Sequence, residues 1–132
     1  MARIMGDWVR ETGWMPVLHN RNEDEAFIAG VLGSHTVRVA RNGEGLLGFL
    51  ARHACHITAF YLADEARCQG IGRALIEEVK AVQPEIALWT FQANTCAVSF
   101  YVREGFCVDE KTDGSGNDEG LPDLRLIWRK AP

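Results

Sequence analysis

Several signals are missing from this chain of 132 residues, and each absence narrows the functions open to it. No stretch of about 18 apolar residues occurs and no leader-like segment is visible, so the sequence predicts no membrane-spanning helix. Basic residues are in deficit, with 14 Lys and Arg against 18 Asp and Glu, which argues against a nucleic-acid binder. We therefore expect a cytoplasmic protein with neither a membrane nor a nucleic acid as its partner.

Paired cysteines are also missing. The four cysteines, Cys55, Cys68, Cys96 and Cys107, show no metal-ligand spacing, so we expect reduced thiols and no metal site. Cys68 lies in a glycine-rich segment where it could be exposed. A catalytic thiol there is one interpretation, and a bystander is the simpler one.

What is present is an ordinary globular composition, with 47% hydrophobic and 24% charged residues, and a length that suits a single domain over residues 1–132. No repeat, linker or low-complexity tract divides the chain. Residues 112–123 are polar and rich in Gly, Asp and Asn, which predicts a mobile loop. The apolar patterns predict helices over 4–12, 22–32, 72–82 and 95–104, and strands over 36–41, 46–52, 57–62, 88–92, 106–111 and 124–129.

The most informative segment follows the strand predicted at 57–62 and reads Arg67-Cys68-Gln69-Gly70-Ile71-Gly72-Arg73. A glycine-rich turn that opens a helix leaves backbone N–H groups free at the positive end of the helix dipole, where an anion binds. The nucleotide P-loop is excluded because no Gly-Lys-Ser/Thr occurs, and a dinucleotide fingerprint is excluded because the third glycine is missing. A Gly-x-Gly before a helix also occurs without any ligand, so an unrelated phosphate-binding α/β domain stays an alternative.

A second segment, after the strand predicted at 88–92, adds specificity. It runs from Asn94 to Phe106 and carries Asn94, Ala97, Phe100, Tyr101, Gly105 and Phe106. Together the two segments resemble the GNAT superfamily of N-acetyltransferases, whose acetyl-CoA pyrophosphate loop reads R-x-x-G-x-G. The family's later pattern is N-x-x-A-x-x-F-Y-x-x-x-G-F. The resemblance covers roughly residues 37–106, and every position of the later pattern is matched, by Asn94, Ala97, Phe100, Tyr101, Gly105 and Phe106.

The resemblance implies an α/β (α+β) GNAT fold. Its central sheet would be mixed but mostly antiparallel, with one splayed parallel strand pair and helices on both faces. GNAT domains usually open with a full strand, and the residues before Trp14 show none, so that first strand is expected to be shortened or missing.

The resemblance also implies acetyl-CoA as co-substrate and assigns residues to it. Arg67 and the loop Cys68, Gln69, Gly70, Ile71, Gly72 and Arg73 would hold the pyrophosphate. Pantetheine would lie along Phe60, Tyr61 and Leu62, where backbone amides polarise the thioester carbonyl. Asn94 would contact the cofactor, and a helix N-cap is its compatible second role.

The implied activity is transfer of an acetyl group to a primary amine of a small molecule or peptide, by direct attack in a ternary complex. Tyr101 stands at the position of the family's general acid, which protonates the leaving thiolate. No carboxylate occurs on the two parallel strands. His56 has a suitable pKa class, but it stands at the start of its strand. The missing base keeps a second hypothesis open, a catalytically silent acyl-CoA-binding sensor or regulatory module.

The acceptor side is the least determined part. A water relay ending at His19, Asp118 or Glu119 could replace the base. Trp14, Pro16, His19, Trp89 and Phe91 could wall the acceptor, although core packing explains each of them as well. The acidic residues of the predicted loop, Asp113, Asp118, Glu119 and Asp123, could attract an ammonium group or could form a solvated surface. A homodimer is compatible with the apolar closing strands.

Overall fold

The computed structural model describes residues 1–131. Two helices precede the first strand, and the remaining helices alternate with strands. In chain order the elements are α1 (Ala2–Glu11), α2 (Arg21–Ser34), β1 (Thr36–Asn42), β2 (Gly45–His53), β3 (His56–Leu62), a short 3₁₀ turn (Asp64–Ala66), α3 (Ile71–Val82), β4 (Glu85–Phe91), α4 (Thr95–Arg103), β5 (Cys107–Lys111) and β6 (Asp123–Arg129). Within the described residues no helix is both long and apolar enough to cross a bilayer.

The six strands form one sheet in the order β1-β2-β3-β4-β6-β5. Only β3 and β4 run parallel, and every other neighbouring pair is antiparallel. The mixed, mostly antiparallel sheet with one parallel pair is therefore confirmed. The last strand in sequence, β6, lies between β4 and β5, so it borders the parallel pair.

Successive side chains along each strand point to opposite faces of the sheet, and a separate apolar core lies on each face. One core holds Leu50, Ile57 and Leu88 of the sheet against α3 and α4. The other holds Phe49 and Ala59 of the sheet against α1 and α2. Helices on both faces were expected, and the two cores show why the central strands read as continuous apolar runs.

An ion pair connects helices α1 and α2. Arg10 approaches Asp24 to 3.0 Å, and Asp24 is the one buried charged residue among those described. Asn20 and Glu23 form a reciprocal capping box that begins α2. In residues 1–131 the first element is α1, and β1 is the first strand after α1 and α2. The shortened or missing first strand of the family stays a prediction.

Candidate active site

The parallel strands β3 and β4 separate soon after they meet. They pair only at His56 with Ala87 and at Ile57 with Leu88. Beyond that point β3 continues beside β2, and β4 continues beside β6 as far as the pair of Phe91 with Asp123. The sheet is therefore open between the carboxyl ends of two central strands, which is where α/β sheets bind ligands.

A bulge on β3 coincides with this opening. The register with β2 passes from Ala51 opposite Ala59 to Arg52 opposite Ile57, so Thr58 is an extra residue on β3. An extra residue reverses the direction in which the following backbone groups point. The bulge therefore changes which amides of β3 face the gap.

The hydrogen bond from the Ala63 N–H to the Leu47 carbonyl, at 2.7 Å, fixes that direction. Because backbone groups alternate along a strand, Tyr61 also points its N–H and C=O toward β2. Phe60 and Leu62 then point theirs into the gap. Of the three residues predicted to lie along pantetheine, Phe60 and Leu62 have backbone groups free to pair with it. The backbone groups of Tyr61 point toward β2, so Tyr61 can meet the gap only with its side chain.

The start of α3 offers unpaired backbone donors. The first intrahelical bond joins the Ala74 N–H to the Gly70 carbonyl, and no side chain caps this end, so the N–H groups of Ile71, Gly72 and Arg73 have no helical partner. Gly70 has a φ of 80°, and a Cβ on it would meet no atom within 4 Å. An anion can therefore approach this turn without obstruction.

Two arginines flank these donors. Arg67 pairs with Asp64 at 3.1 Å, and Arg73 lies 3.9 Å from Glu104. Both side chains are exposed to solvent, Arg73 more than Arg67, and can turn toward a phosphate. Cys68 adopts a left-handed φ of 62°, a conformation that is uncommon for a residue with a Cβ. The loop is thus bent tightly where the pyrophosphate was expected.

One cavity of about 950 Å³ connects this turn with the gap between the strands. Tyr101 and every residue predicted to bind the cofactor line it except Gln69, whose side-chain amide donates to the Glu65 carbonyl at 2.8 Å. The backbone of Gln69 belongs to the turn, but its side chain stabilises the preceding 3₁₀ segment. A role for Gln69 in cofactor binding stays a prediction.

Tyr101 lies on α4 at the inner wall of the cavity. Its ring packs between Phe60 and Phe106, with centroids 6.4 and 5.4 Å away. Burial, and secondly the nearby Tyr61, raise the pKa of the Tyr101 phenol well above its usual value. Tyr101 lines the cavity, and its raised pKa keeps the phenol protonated near neutral pH.

Asn94 serves the helix and the cavity together. Its side-chain oxygen accepts a hydrogen bond from the Ala97 N–H at 3.3 Å and caps α4. The residue also lines the cavity, where its amide group can donate. The capping role considered for Asn94 from the sequence is present in the structure, and it leaves the amide available to a ligand.

Aromatic rings form a wall on the opposite face of the sheet. Trp8 of α1 contacts Trp14 and Tyr61, at centroid distances of 5.9 and 5.6 Å, and Trp14 contacts Phe91 at 5.9 Å. We call Trp8, Trp14, Tyr61 and Phe91 the aromatic wall. The sequence indicated Trp14 and Phe91 for the acceptor side, but Trp8 was missed, because only the packing of α1 on β3 brings it there.

Several other candidates lie elsewhere. Pro16, His19, Asp118 and Glu119 do not line the cavity, and His19 pairs with Glu23 instead, at 3.5 Å. His56 is also outside the cavity lining. Partial burial, then Arg125 and His35, lower its pKa, so His56 is neutral near neutral pH. Among these, no residue reaches the gap directly as a base.

The segment before β6, predicted to be a mobile loop, is held by hydrogen bonds. The Asn117 amide donates to the Leu121 carbonyl at 2.7 Å, and the Gln92 amide reaches the Thr112 and Asp123 carbonyls at 3.1 and 3.2 Å. This loop places Asp123 at the start of β6, where it lines the cavity. Polar composition alone could not reveal these contacts.

The cysteines are unpaired in this structure. Two of them line the cavity, Cys68 beside the turn that opens α3 and Cys96 at the start of α4. Within residues 1–131 no group of three or more His, Cys, Asp and Glu side chains could hold a metal ion.

Comparison with known proteins agrees with this geometry. The family model of the acetyltransferase (GNAT) domain matches residues 33–108, which include the gap, the turn and α4. The chain belongs to the GNAT acetyltransferase family. Acetyl-CoA is the co-substrate of GNAT acetyltransferases.

Individual relatives give the same result. Over 82 residues the chain is 30% identical to the peptidyl-lysine N-acetyltransferase YjaB of Salmonella typhimurium, which covers 62% of this chain and only 57% of that enzyme. The solution structure of apo YjaB from Escherichia coli superposes with a TM-score of 0.78 at 26% identity, covering 99% of this chain and 90% of the other. An acetyltransferase of Bacillus anthracis, in complex with acetyl coenzyme A, shares the fold with a TM-score of 0.66 at 19% identity, over 74% and 64% of the two chains.

Proposed function

We propose that this GNAT protein transfers the acetyl group of acetyl-CoA to a primary amine of a small molecule or peptide, by direct attack in a ternary complex. The observation that carries the proposal is the cavity that joins the turn at the start of α3 to the gap between β3 and β4. A ligand bound to both regions would present its thioester where the sheet is open on both faces.

The residues at the two ends fit the two parts of that ligand. The free N–H groups of Ile71, Gly72 and Arg73 would hold the pyrophosphate at the helix N-terminus. The gap-facing backbone of Phe60 and Leu62 would pair with pantetheine as an additional strand does. An amide pointing into this gap can also polarise the thioester carbonyl, as an oxyanion hole does.

Tyr101 would act as the proton donor to the leaving thiolate. Its raised pKa keeps the phenol protonated throughout the physiological range, so it is available as a hydrogen-bond and proton donor. The apolar ring contacts around it strengthen an electrostatic interaction with a developing negative charge, because they exclude water.

A lysine side chain is the acceptor we favour. The YjaB relative is named a peptidyl-lysine N-acetyltransferase. A lysine has an apolar stem that can lie along the aromatic wall while its amine reaches the gap, and rings attract its cationic end. A small-molecule amine would use the same wall with fewer contacts.

The deciding experiment measures release of the CoA thiol with and without a lysine-containing peptide. We expect amine-dependent release by the native protein. Tyr101→Phe should lower kcat by about 10²-fold or more while the Kd for acetyl-CoA stays constant, because the phenol acts on the leaving group. Ser99→Ala is the matched control, since it removes an exposed hydroxyl from the same helix and should leave kcat unchanged.

Two results would overturn the proposal. Tight binding of acetyl-CoA without thiol release by any amine would instead support a silent acyl-CoA-binding module. No binding of acetyl-CoA, with dephospho-CoA and pantetheine as comparisons, would mean that the cavity serves another ligand. The single domain, the cytoplasmic location and the homodimer expected from the sequence stay predictions.

A further inference from the structure

Asp123 lines the cavity on the side of the aromatic wall, which we call the acceptor face. It lies directly opposite Phe91 in the antiparallel pair of β4 and β6, and directly opposite residues project from the same face of a sheet. Phe91 is a member of the aromatic wall. The carboxylate of Asp123 therefore lies on the wall's face of the sheet, across the gap from the Tyr101 side.

The hydrogen bonds of this carboxylate come from neutral groups. The Thr112 hydroxyl donates to one oxygen, and the Asn117 amide donates to the other at 3.3 Å. None of the ion pairs formed within residues 1–131 includes Asp123. The carboxylate is held in place while its negative charge stays without a cationic partner.

The other acidic groups are placed differently. Glu104 also lines the cavity, but it lies on the α4 side, 3.9 Å from Arg73 of the phosphate-binding turn. Asp113, Asp118 and Glu119 belong to the same loop as Asp123 but do not line the cavity. Among the described residues that line the cavity, Asp123 is thus the one carboxylate on the side of the aromatic wall. Glu119 lies outside this lining, although its charge is close enough to raise the pKa of Tyr61.

We propose that Asp123 is the acceptor-binding residue that attracts the cationic amine, orients it toward the gap and takes a proton from its nitrogen during attack. The inference rests on the proposed function and names the acceptor class, an alkylammonium side chain. It also supplies a carboxylate at the cavity, since the carboxylate of the parallel strands, Glu85, stands at the start of β4 outside the cavity lining and pairs with Arg129 at 2.9 Å.

The ammonium first loses one proton to water, which frees the nitrogen lone pair. As the N–C bond forms, the nitrogen gives a second proton to Asp123, and as the C–S bond breaks, the sulfur receives a proton from Tyr101. Water then takes the proton from Asp123 and returns one to Tyr101, so the net products are the amide, CoA thiol and one proton.

The test compares Asp123→Asn with Asp118→Asn, which removes the same charge from an exposed position of the same loop. The acceptors are Nα-acetyl-lysine amide, which is cationic near neutral pH, and an acyl hydrazide, which is uncharged there. We expect Asp123→Asn to raise KM for the lysine amine at least about tenfold, the effect of one charge-assisted hydrogen bond, and to lower kcat as well. KM for the hydrazide should change less than about threefold, since an uncharged acceptor gains little from the charge. Asp118→Asn should behave as the native protein.

The outcomes separate this role from the activity itself. An equal rise of KM for both acceptors in Asp123→Asn, or a loss of acetyl-CoA binding, would show that Asp123 only supports the loop and would overturn the inference. Unchanged kinetics in Asp123→Asn, with an active native protein, would overturn it too and leave the acetyltransferase proposal intact. A native protein that releases no thiol with either acceptor would overturn both.

Discussion

The site contains both tyrosines of the chain, so alkaline pH tests its electrostatics directly. Tyr61 and Tyr101 are the two tyrosines in the sequence. Burial, then Glu119 and Asp24, raise the pKa of Tyr61 to about 12, and burial raises the pKa of Tyr101 as well. We predict that neither phenol ionises near its ordinary pKa while the protein is folded.

The size of the effect follows from the pKa of Tyr61. An exposed tyrosine in the unfolded chain has a pKa of about 10, which is lower than the pKa of Tyr61 in the folded protein by roughly two pH units. Above that pH the unfolded state binds fewer protons than the folded state, and the free energy of unfolding falls as the pH rises. Tyr61 alone should remove about 3 kcal/mol of stability between about pH 10 and 12. Below that window its contribution is fully present.

The assay is a spectrophotometric titration of tyrosinate, recorded beside far-UV circular dichroism. We expect absorbance and loss of helix to rise together in one cooperative step, because ionisation follows unfolding. In Tyr101→Phe the absorbance change should halve, since Tyr61 is then the single tyrosine. A phenol that titrates near its ordinary pKa with the dichroism unchanged would refute the burial argument for that residue.

Three further predictions concern the loop, the cofactor and the helix pair. Gly120→Ala should cost about 1–2 kcal/mol because its φ is positive, whereas Gly114→Ala should cost clearly more in chemical denaturation, since its Cβ would also overlap the backbone of Leu121. Arg73→Gln should raise the calorimetric Kd for acetyl-CoA several-fold without affecting pantetheine, and equal weakening of both ligands would contradict a phosphate contact. Asp24→Asn should lower the free energy of unfolding by about 1–3 kcal/mol, as it leaves a partly buried guanidinium unpaired, and an unchanged thermal midpoint would argue against that ion pair.

Much of the candidate site could be predicted from the sequence because its residues lie in short contiguous segments. The turn from Cys68 to Arg73 depends on glycine conformations and free N–H groups that belong to a single segment, so the residue types reveal it. Tyr101 follows Asn94 on one helix, and a fixed helical spacing keeps both at the same cavity. The sequence patterns also predicted the order of the elements and the parallel pair, and the structure confirms these.

The remainder depends on tertiary packing that no local pattern encodes. Trp8 reaches the cavity because α1 packs on β3. The bulge at Thr58, which decides that Phe60 and Leu62 face the gap, requires knowledge of the register with β2. The sequence does not distinguish Asp123 from its acidic neighbours. Its place at the cavity depends on the position of β6 next to β4, which brings the first residue of β6 to the cavity.

The arrangement of groups around the sheet favours direct transfer over an acyl-enzyme route. The proposed proton donor, Tyr101, lies on the α4 side of the sheet, and the proposed amine-binding group, Asp123, lies on the other side. A thioester held in the gap would therefore meet the amine from one face while its sulfur leaves toward the other. The two cavity cysteines, Cys68 and Cys96, lie instead beside the turn that opens α3 and at the start of α4. A covalent route would need a nucleophile at the gap itself, and the gap-facing groups of β3 are backbone amides and carbonyls, which can orient and polarise a thioester but cannot accept its acetyl group.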